Sequence, residues 1–219
     1  MTREFTGLSP EHIRDNLDRI HEQIAGTGRD PNEVELLAAI KYVSADELPA
    51  LAEGGVKLVG ENRAQDLVAK HARYGGDFTW DFIGALQSRK VKDIAPHVRL
   101  IHSVASESAL RQLERHPVSE ILIEVNLAGE ESKAGIEPQD LPRYLQLAPV
   151  PVTGLMCMPP FAENPEDSRR HFARLAELAA EHGLKRLSMG TSQDYLVAVQ
   201  EGATIVRLGS VLYGGRPTA

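Results

Sequence analysis

Ile13, Leu17, Ile20 and Ile24 share one face of a helical period, behind a Ser9-Pro10 pair suited to a cap and a first-turn proline, and the run stops at Gly26. The spacing predicts an amphipathic leading helix. Beyond it, short aliphatic runs alternate with charged stretches of helical period. Eight runs have strand length, at 35–40, 56–59, 80–83, 100–104, 121–127, 152–158, 186–189 and 204–208. Helices are predicted between them at 45–53, 63–74, 88–94, 107–115, 139–147, 166–182 and 193–200. Ser44 to Glu47 reads as a capping box and Asn164-Pro165 as a helix entry, while Gly54, Gly183 and Gly202 read as stops.

Strict alternation without hairpin turns argues for parallel strands, because parallel neighbours need a long crossover and a helix supplies it. The expected fold is α/β, a (β/α)8 barrel of TIM type over 35–215 preceded by the leading helix at 1–28. Barrels of this kind usually take about 250 residues. A chain of 219 therefore leaves no room for a second domain, and one domain over 1–219 is expected. The doubly wound open sheet is the runner-up, and its GxGxxG loop is absent. The leading helix is free to cross the base of the barrel or to join a partner subunit.

Composition narrows the function classes. With 42% apolar and 25% charged residues the chain is globular, and Lys+Arg 24 against Asp+Glu 31 gives a net charge of −7. Without a basic block, nucleic acid is not an expected partner, and an anionic ligand has to be held by a few local donors. The opening MTREFTGLSPEH lacks the apolar stretch of a signal peptide, and no run approaches the ~18 apolar residues of a membrane span. A cytoplasmic protein without a membrane partner is expected. Cys157 is the one cysteine and reads as a small buried apolar residue, and His97, His116 and His182 lack metal-ligand spacing, so no metal is expected.

In such a barrel the chemistry lies at the C-terminal ends of the strands. Lys41 follows the apolar run of the first strand, where burial would produce a neutral amine able to attack a carbonyl; the alternative is a lysine reaching out to the rim. Glu61 and Asn62 leave the second strand, Gln87 and Ser88 the third, where Ser88 reads as a cap. His102 and Ser103 lie on the fourth. Glu124 and Asn126 on the fifth have equal parity and are expected to face the mouth together. The last two exits, Thr191-Ser192-Gln193-Asp194 and Gly209-Ser210, carry the hydroxyls and glycines that hold phosphates, although Ser192 also suits a helix cap. Arg207 is expected either to place a fixed charge in the mouth or to pair with a carboxylate such as Glu124. A carbonyl on Lys41 and a phosphate at the last two loops fit pyridoxal 5′-phosphate (PLP) and fit a phosphorylated sugar aldehyde or ketone equally.

The segments AAIKYV, LVGENRAQD, WDFIGALQSRK, LIHSVAS, IEVNLAGEESKAGI, GLMCMPP, LSMGTSQDY and VRLGSVLYGG run from about residue 35 to the C-terminus. In that order they resemble the pyridoxal phosphate homeostasis protein family, which is similar to the fold type III barrel domain of alanine racemase. The resemblance implies that PLP is the cofactor, carried by Lys41 as a Schiff base. It further implies that Ser192, Gly209 and Ser210 surround the phosphate, that Asn62 lines the pocket, and that Arg207 faces the pyridine nitrogen. Ala85, Arg89, Thr191 and Ser210 depart from residues common in the family; Ser210 keeps the hydroxyl of the usual threonine. The resemblance thus implies an intracellular PLP binder and carrier without dedicated catalysis, whose further partners are PLP-dependent apoenzymes, and a monomer or weak dimer is expected. An amino-acid racemase or decarboxylase and a Schiff-base aldolase are the alternatives.

Overall fold

The computed structural model describes residues 5–129 and 134–214. The expected outer bounds at 1 and 215, and the 130–133 part of the fifth-strand motif, lie outside the described residues. Eight strands form: β1 Glu35–Ala39, β2 Leu58–Glu61, β3 Thr79–Phe82, β4 Leu100–Val104, β5 Glu120–Glu124, β6 Val152–Met156, β7 Arg186–Thr191 and β8 Ile205–Leu208. Each pairs in parallel with the next, and β8 pairs with β1, so the sheet closes into a barrel. The helices are α1 Pro10–Gly26, α2 Leu48–Glu53, α3 Ala64–Tyr74, α4 Val91–Ile94, α5 Glu107–Arg115, α6 Leu141–Leu147, α7 Arg169–Glu181, α8 Tyr195–Gln200 and α9 Ser210–Tyr213. Among the described residues no helix is long and apolar enough to cross a membrane.

Strand parity sorts the apolar residues into two cores. Leu37, Leu58, Leu100, Leu122, Met156 and Ile205 point inward and fill the barrel. Their neighbours Ala38, Val59, Ile101, Ile123, Leu155 and Val206 pack outward against helix residues such as Leu67, Leu113, Phe172 and Leu175. Each large aliphatic buried this way contributes roughly 1.5–3 kcal/mol. Gly154 is required where β6 passes β7, because a Cβ there would lie 1.9 Å from the Arg186 carbonyl oxygen.

At the N-terminal ends of the strands the barrel is closed by charge. Arg186 bridges Glu35 and Glu120, and Arg99 donates to Glu35 at 2.7 Å and to Asp81 at 2.7 Å. The leading helix packs against α2, α8 and α9, burying Ile13, Ile20 and Ile24 over the seam between the first and last units. Asn16 Nδ2 donates to the Leu212 carbonyl at 2.9 Å, tying α1 to the turn after β8.

Local signals fared unevenly. Asn164 accepts the Glu166 N–H as expected, and Ser9 accepts that of His12. The capping box at Ser44 does not form: Ser44 makes no cap bond, and Glu47 instead accepts the N–H groups of Gly7 at 2.7 Å and Leu8 at 2.9 Å. A carboxylate on that turn finds free donors in the incoming chain, which no local pattern encodes.

Candidate functional site

A cavity of about 1020 Å³ opens at the C-terminal ends of the strands. Lys41, Asn62, Ser192, Arg207, Gly209 and Ser210 all line it, together with Ser103 and Glu124. A smaller lobe of about 550 Å³ adjoins it across Glu124 and Arg207, walled by Met158 and Phe161 of the β6–α7 loop.

Lys41 lies in the turn two residues beyond β1. Its side chain is exposed, with Nζ 4.8 Å from the centre of the Tyr42 ring, so of the two readings its position left open, burial against apolar walls and a lysine at the rim, the structure shows the second. The strand ends before Lys41, and the turn carries the side chain to the rim. The backbone around it is held from three directions. Tyr213 Oη donates to the Ala39 carbonyl at 3.2 Å, Lys70 Nζ to that of Ile40 at 2.7 Å, and Phe5 N to that of Tyr42 at 2.7 Å.

The second strand ends on a buried ion pair. Glu61 is fully buried and accepts from Lys70 Nζ at 2.6 Å with one oxygen, and from Asn62 N at 2.7 Å with the other. Asn62 Oδ1 is buried at the cavity wall without a hydrogen-bond partner among the described residues. Gly84 lets the chain close over it, since a Cβ there would lie 2.0 Å from the Asn62 carbonyl oxygen. Gln87 and Ser88 lie outside this cavity; Gln87, not Ser88, stands at the cap position of the turn that follows and makes no side-chain cap bond.

After β7 Ser192 does not cap α8, and Asp194, which stands at the cap position, makes no side-chain cap bond to it either. Asp194 Oδ1 accepts from Thr191 N at 2.7 Å and from Thr191 Oγ1 at 3.1 Å, closing the turn into α8. Ser192 turns away from α8. Its Oγ reaches the neighbouring exit and accepts the N–H of Gly209 at 2.9 Å and of Val211 at 3.4 Å, so it caps α9. A Cβ on Gly209 would meet only Ser192 Oγ, 4.0 Å away, so the absent side chain leaves open space beside the backbone there.

Arg207 is 4% exposed and makes no ion pair with Glu124. Its Nη1 donates to the Ser188 carbonyl at 2.8 Å and to Ser188 Oγ at 2.6 Å, and its Nη2 to the Cys157 carbonyl at 3.0 Å. Of the two expected placements the structure shows a fixed charge in the mouth rather than a carboxylate pair, because β6 and β7 present carbonyl and hydroxyl oxygens at contact distance. Burial pulls against the charge, but a guanidinium stays protonated in a protein. Cys157 is buried as expected, and burial pushes its thiol up to about 12.

Glu124 faces the cavity, 6% exposed, with no side-chain hydrogen bond or ion pair among the described residues. Burial raises its pKa from the ordinary 4.5, and Arg207 opposes this only in part. The folded protein therefore favours the protonated acid; the stability this confers is complete at low pH and is lost as pH rises through the folded pKa. Glu124→Gln is expected to match the wild type below pH 4.5 and to exceed it at neutrality, as read by urea midpoints. A difference that does not change with pH would refute this. Asn126, expected to face the mouth beside Glu124, is buried but does not line the cavity; its Oδ1 accepts the Ala128 N–H at 3.2 Å. Leaving the strand, it turns its side chain onto its own loop.

Asp81 and Ser188 are not singled out by the strand-exit pattern, although both lie at inward-facing positions of otherwise apolar strands. That inward polarity is the signal that marks them. Lys70 has none, because a helical lysine ordinarily faces solvent.

Residues 8–217 match the family model described as alanine racemase, N-terminal domain. The pyridoxal phosphate homeostasis protein of Aquifex aeolicus is 42% identical over 94% of this chain and 97% of its own length, and that of Pseudomonas aeruginosa 37% over 94% and 95%. The chain belongs to the pyridoxal phosphate homeostasis protein family. Within the family, the solved structure of PipY from Synechococcus elongatus with PLP bound aligns at a TM-score of 0.78 and 32% identity, over 92% of this chain and all (100%) of that one. Alanine racemase from Corynebacterium glutamicum aligns at 0.69 with 17% identity, over 97% of this chain and 62% of the enzyme, and shares the fold.

Proposed function

We propose that this protein binds PLP at the mouth of the barrel, holds it covalently on Lys41, and stores and delivers it within the cytoplasm rather than turning over a substrate. The observation that carries this reading is the meeting of Lys41, from β1, with Ser192, Gly209 and Ser210, from the β7 and β8 exits, on one cavity of about 1020 Å³. Closure of the barrel makes the first and last strands neighbours. The pyridoxal phosphate homeostasis relatives and the PLP-bound PipY support the choice of PLP over a sugar phosphate.

The donor set suits the group. Ser192 and Ser210 hydroxyls would hold a phosphate, with room for it where Gly209 lacks a side chain, and Asn62 Oδ1, without a partner among the described residues, is an acceptor for a polar ring substituent. Arg207 would face the ring nitrogen. PLP supplies an electrophilic aldehyde and an electron-withdrawing ring. A guanidinium next to that ring cannot give it a proton, which weakens its pull on electrons and disfavours carbanion chemistry. Lys41 is exposed, so an amine arriving from solvent or from a PLP-dependent apoenzyme has access to the same position. Both features suit a carrier.

The purified protein is expected to be yellow, and borohydride is expected to fix one pyridoxyl group on the peptide containing Lys41. Incubation with a panel of amino acids in deuterated water is then expected to leave the α-hydrogens unexchanged. Rapid exchange would replace the carrier with a racemase-type enzyme, and label on another residue would reject the site.

A further inference from the structure

Beneath Arg207, polar groups run down the barrel axis through a shell that is otherwise apolar. Ser188 Oγ lies 2.6 Å from Arg207 Nη1 and 2.8 Å from His102 Nδ1. His102 Nε2 lies 3.1 Å from Asp81 Oδ2. Asp81 is gripped in turn by Arg99, Nε to Oδ1 at 3.1 Å and Nη2 to Oδ2 at 2.7 Å. His102, Ser188 and Asp81 are each 0% exposed.

We propose that His102, held by Asp81, is a positioning residue that fixes the Arg207 guanidinium through the Ser188 hydroxyl. Hydrogen-bond polarity makes the assignment. A guanidinium has no acceptor, so Ser188 Oγ accepts from Arg207 and has one proton left to donate. The acceptor at contact distance is His102 Nδ1, which must therefore carry a lone pair. The imidazole proton is on Nε2 and points at the Asp81 carboxylate. The hydroxyl and both ring nitrogens are then satisfied, with His102 neutral. An imidazolium would turn Nδ1 into a donor, strand the Ser188 proton and set a second buried cation beside Arg207.

The surroundings favour the same state. Burial lowers the His102 pKa, against the pull of Asp81. Although burial alone would raise the Asp81 pKa, the bonds from His102 and Arg99 hold it below the ordinary carboxylate range. The chain thus runs from the ion network at one end of the barrel to the cation at the other, and leaves Arg207 no freedom to turn toward Glu124. For the cofactor, a consequence that rests on the function proposed above, the guanidinium is presented to the ring in one orientation with its charge undiluted by a direct carboxylate.

The first test needs no cofactor. In cofactor-free protein carrying ¹⁵N-labelled histidine, with the His102 signal identified by its loss in His102→Gln, the shifts are expected to report the neutral Nε2–H tautomer throughout the range where exposed histidines titrate. An Nδ1–H tautomer, or an imidazolium at neutral pH, would overturn the assignment. The second test reads the cofactor. Ser188→Ala is expected to weaken PLP binding by about tenfold and to shift the absorption maximum of the bound cofactor, while Ser188→Thr restores both. A folded Ser188→Ala with wild-type affinity and spectrum would reject the positioning role. If the wild type took up no PLP, the functional reading would fall, and the tautomer measurement would still decide the assignment.

Discussion

Lys41→Ala is expected to abolish the yellow colour and the borohydride-stable label and to weaken PLP binding by about a hundredfold or more, each factor of ten being ~1.4 kcal/mol. Removing the amine leaves the proposed phosphate contacts at Ser192, Gly209 and Ser210 and the proposed Arg207 contact in place, so the variant should still take up PLP weakly and reversibly. The fold should be untouched. Lys41 is exposed and rests on the face of the Tyr42 ring, so stability should change by no more than the ~0.5 kcal/mol typical of surface substitutions. Equilibrium dialysis with PLP, run beside a urea melt, separates the two quantities. Colour and trapping that persist in a folded Lys41→Ala would place the covalent bond on another residue and end the reading of this site.

The prominence of Lys41 in both sequence and structure shows what a pattern can carry. Eight aliphatic runs became eight strands because period-2 burial on one face and helix packing on the other are local properties. Closure was inferable from their number and from the absence of hairpin turns. The polar strand exits marked the cavity because charged and hydroxyl groups at the ends of apolar runs need a reason to be there. What stayed hidden depends on closure itself. Ser192 caps α9 rather than α8 because β7 and β8 are adjacent, which brings its hydroxyl to the Gly209 and Val211 N–H groups. Arg207 found oxygen partners on β6 and β7 instead of Glu124, a choice fixed by register and invisible to composition. Which of its two readings Lys41 takes was hidden for a related reason: the strand stops at Ala39, and two residues of turn suffice to lift the side chain to the rim.

Those two residues of turn are also where the largest stability effect is expected. Lys70 Nζ bonds both the Ile40 carbonyl and the Glu61 carboxylate, with side-chain exposures of 9% and 0% across the ion pair. Lys70→Met leaves Glu61 buried with only the N–H groups of Asn62 at 2.7 Å and Arg63 at 3.3 Å to face its charge, and it strips the Ile40 carbonyl of that donor. Breaking one side of such a pair costs about 3–5 kcal/mol. Neutralising both sides should cost much less. Glu61→Gln keeps an oxygen for the two backbone donors, so the double variant with Lys70→Met is expected to recover most of the loss, giving a strongly non-additive double-mutant cycle. Urea denaturation of the four proteins measures it, and losses that simply add would show that the pair does not act as a unit. The site should register the same change, because the Ile40 carbonyl belongs to the peptide that leads into Lys41. A Lys70→Met protein that remains folded is expected to bind PLP more weakly through a less constrained Lys41 turn, and the double variant should lie between it and the wild type. Wild-type affinity in folded Lys70→Met would mean that Tyr213 and Phe5, which hold the carbonyls on either side, fix that turn without Lys70.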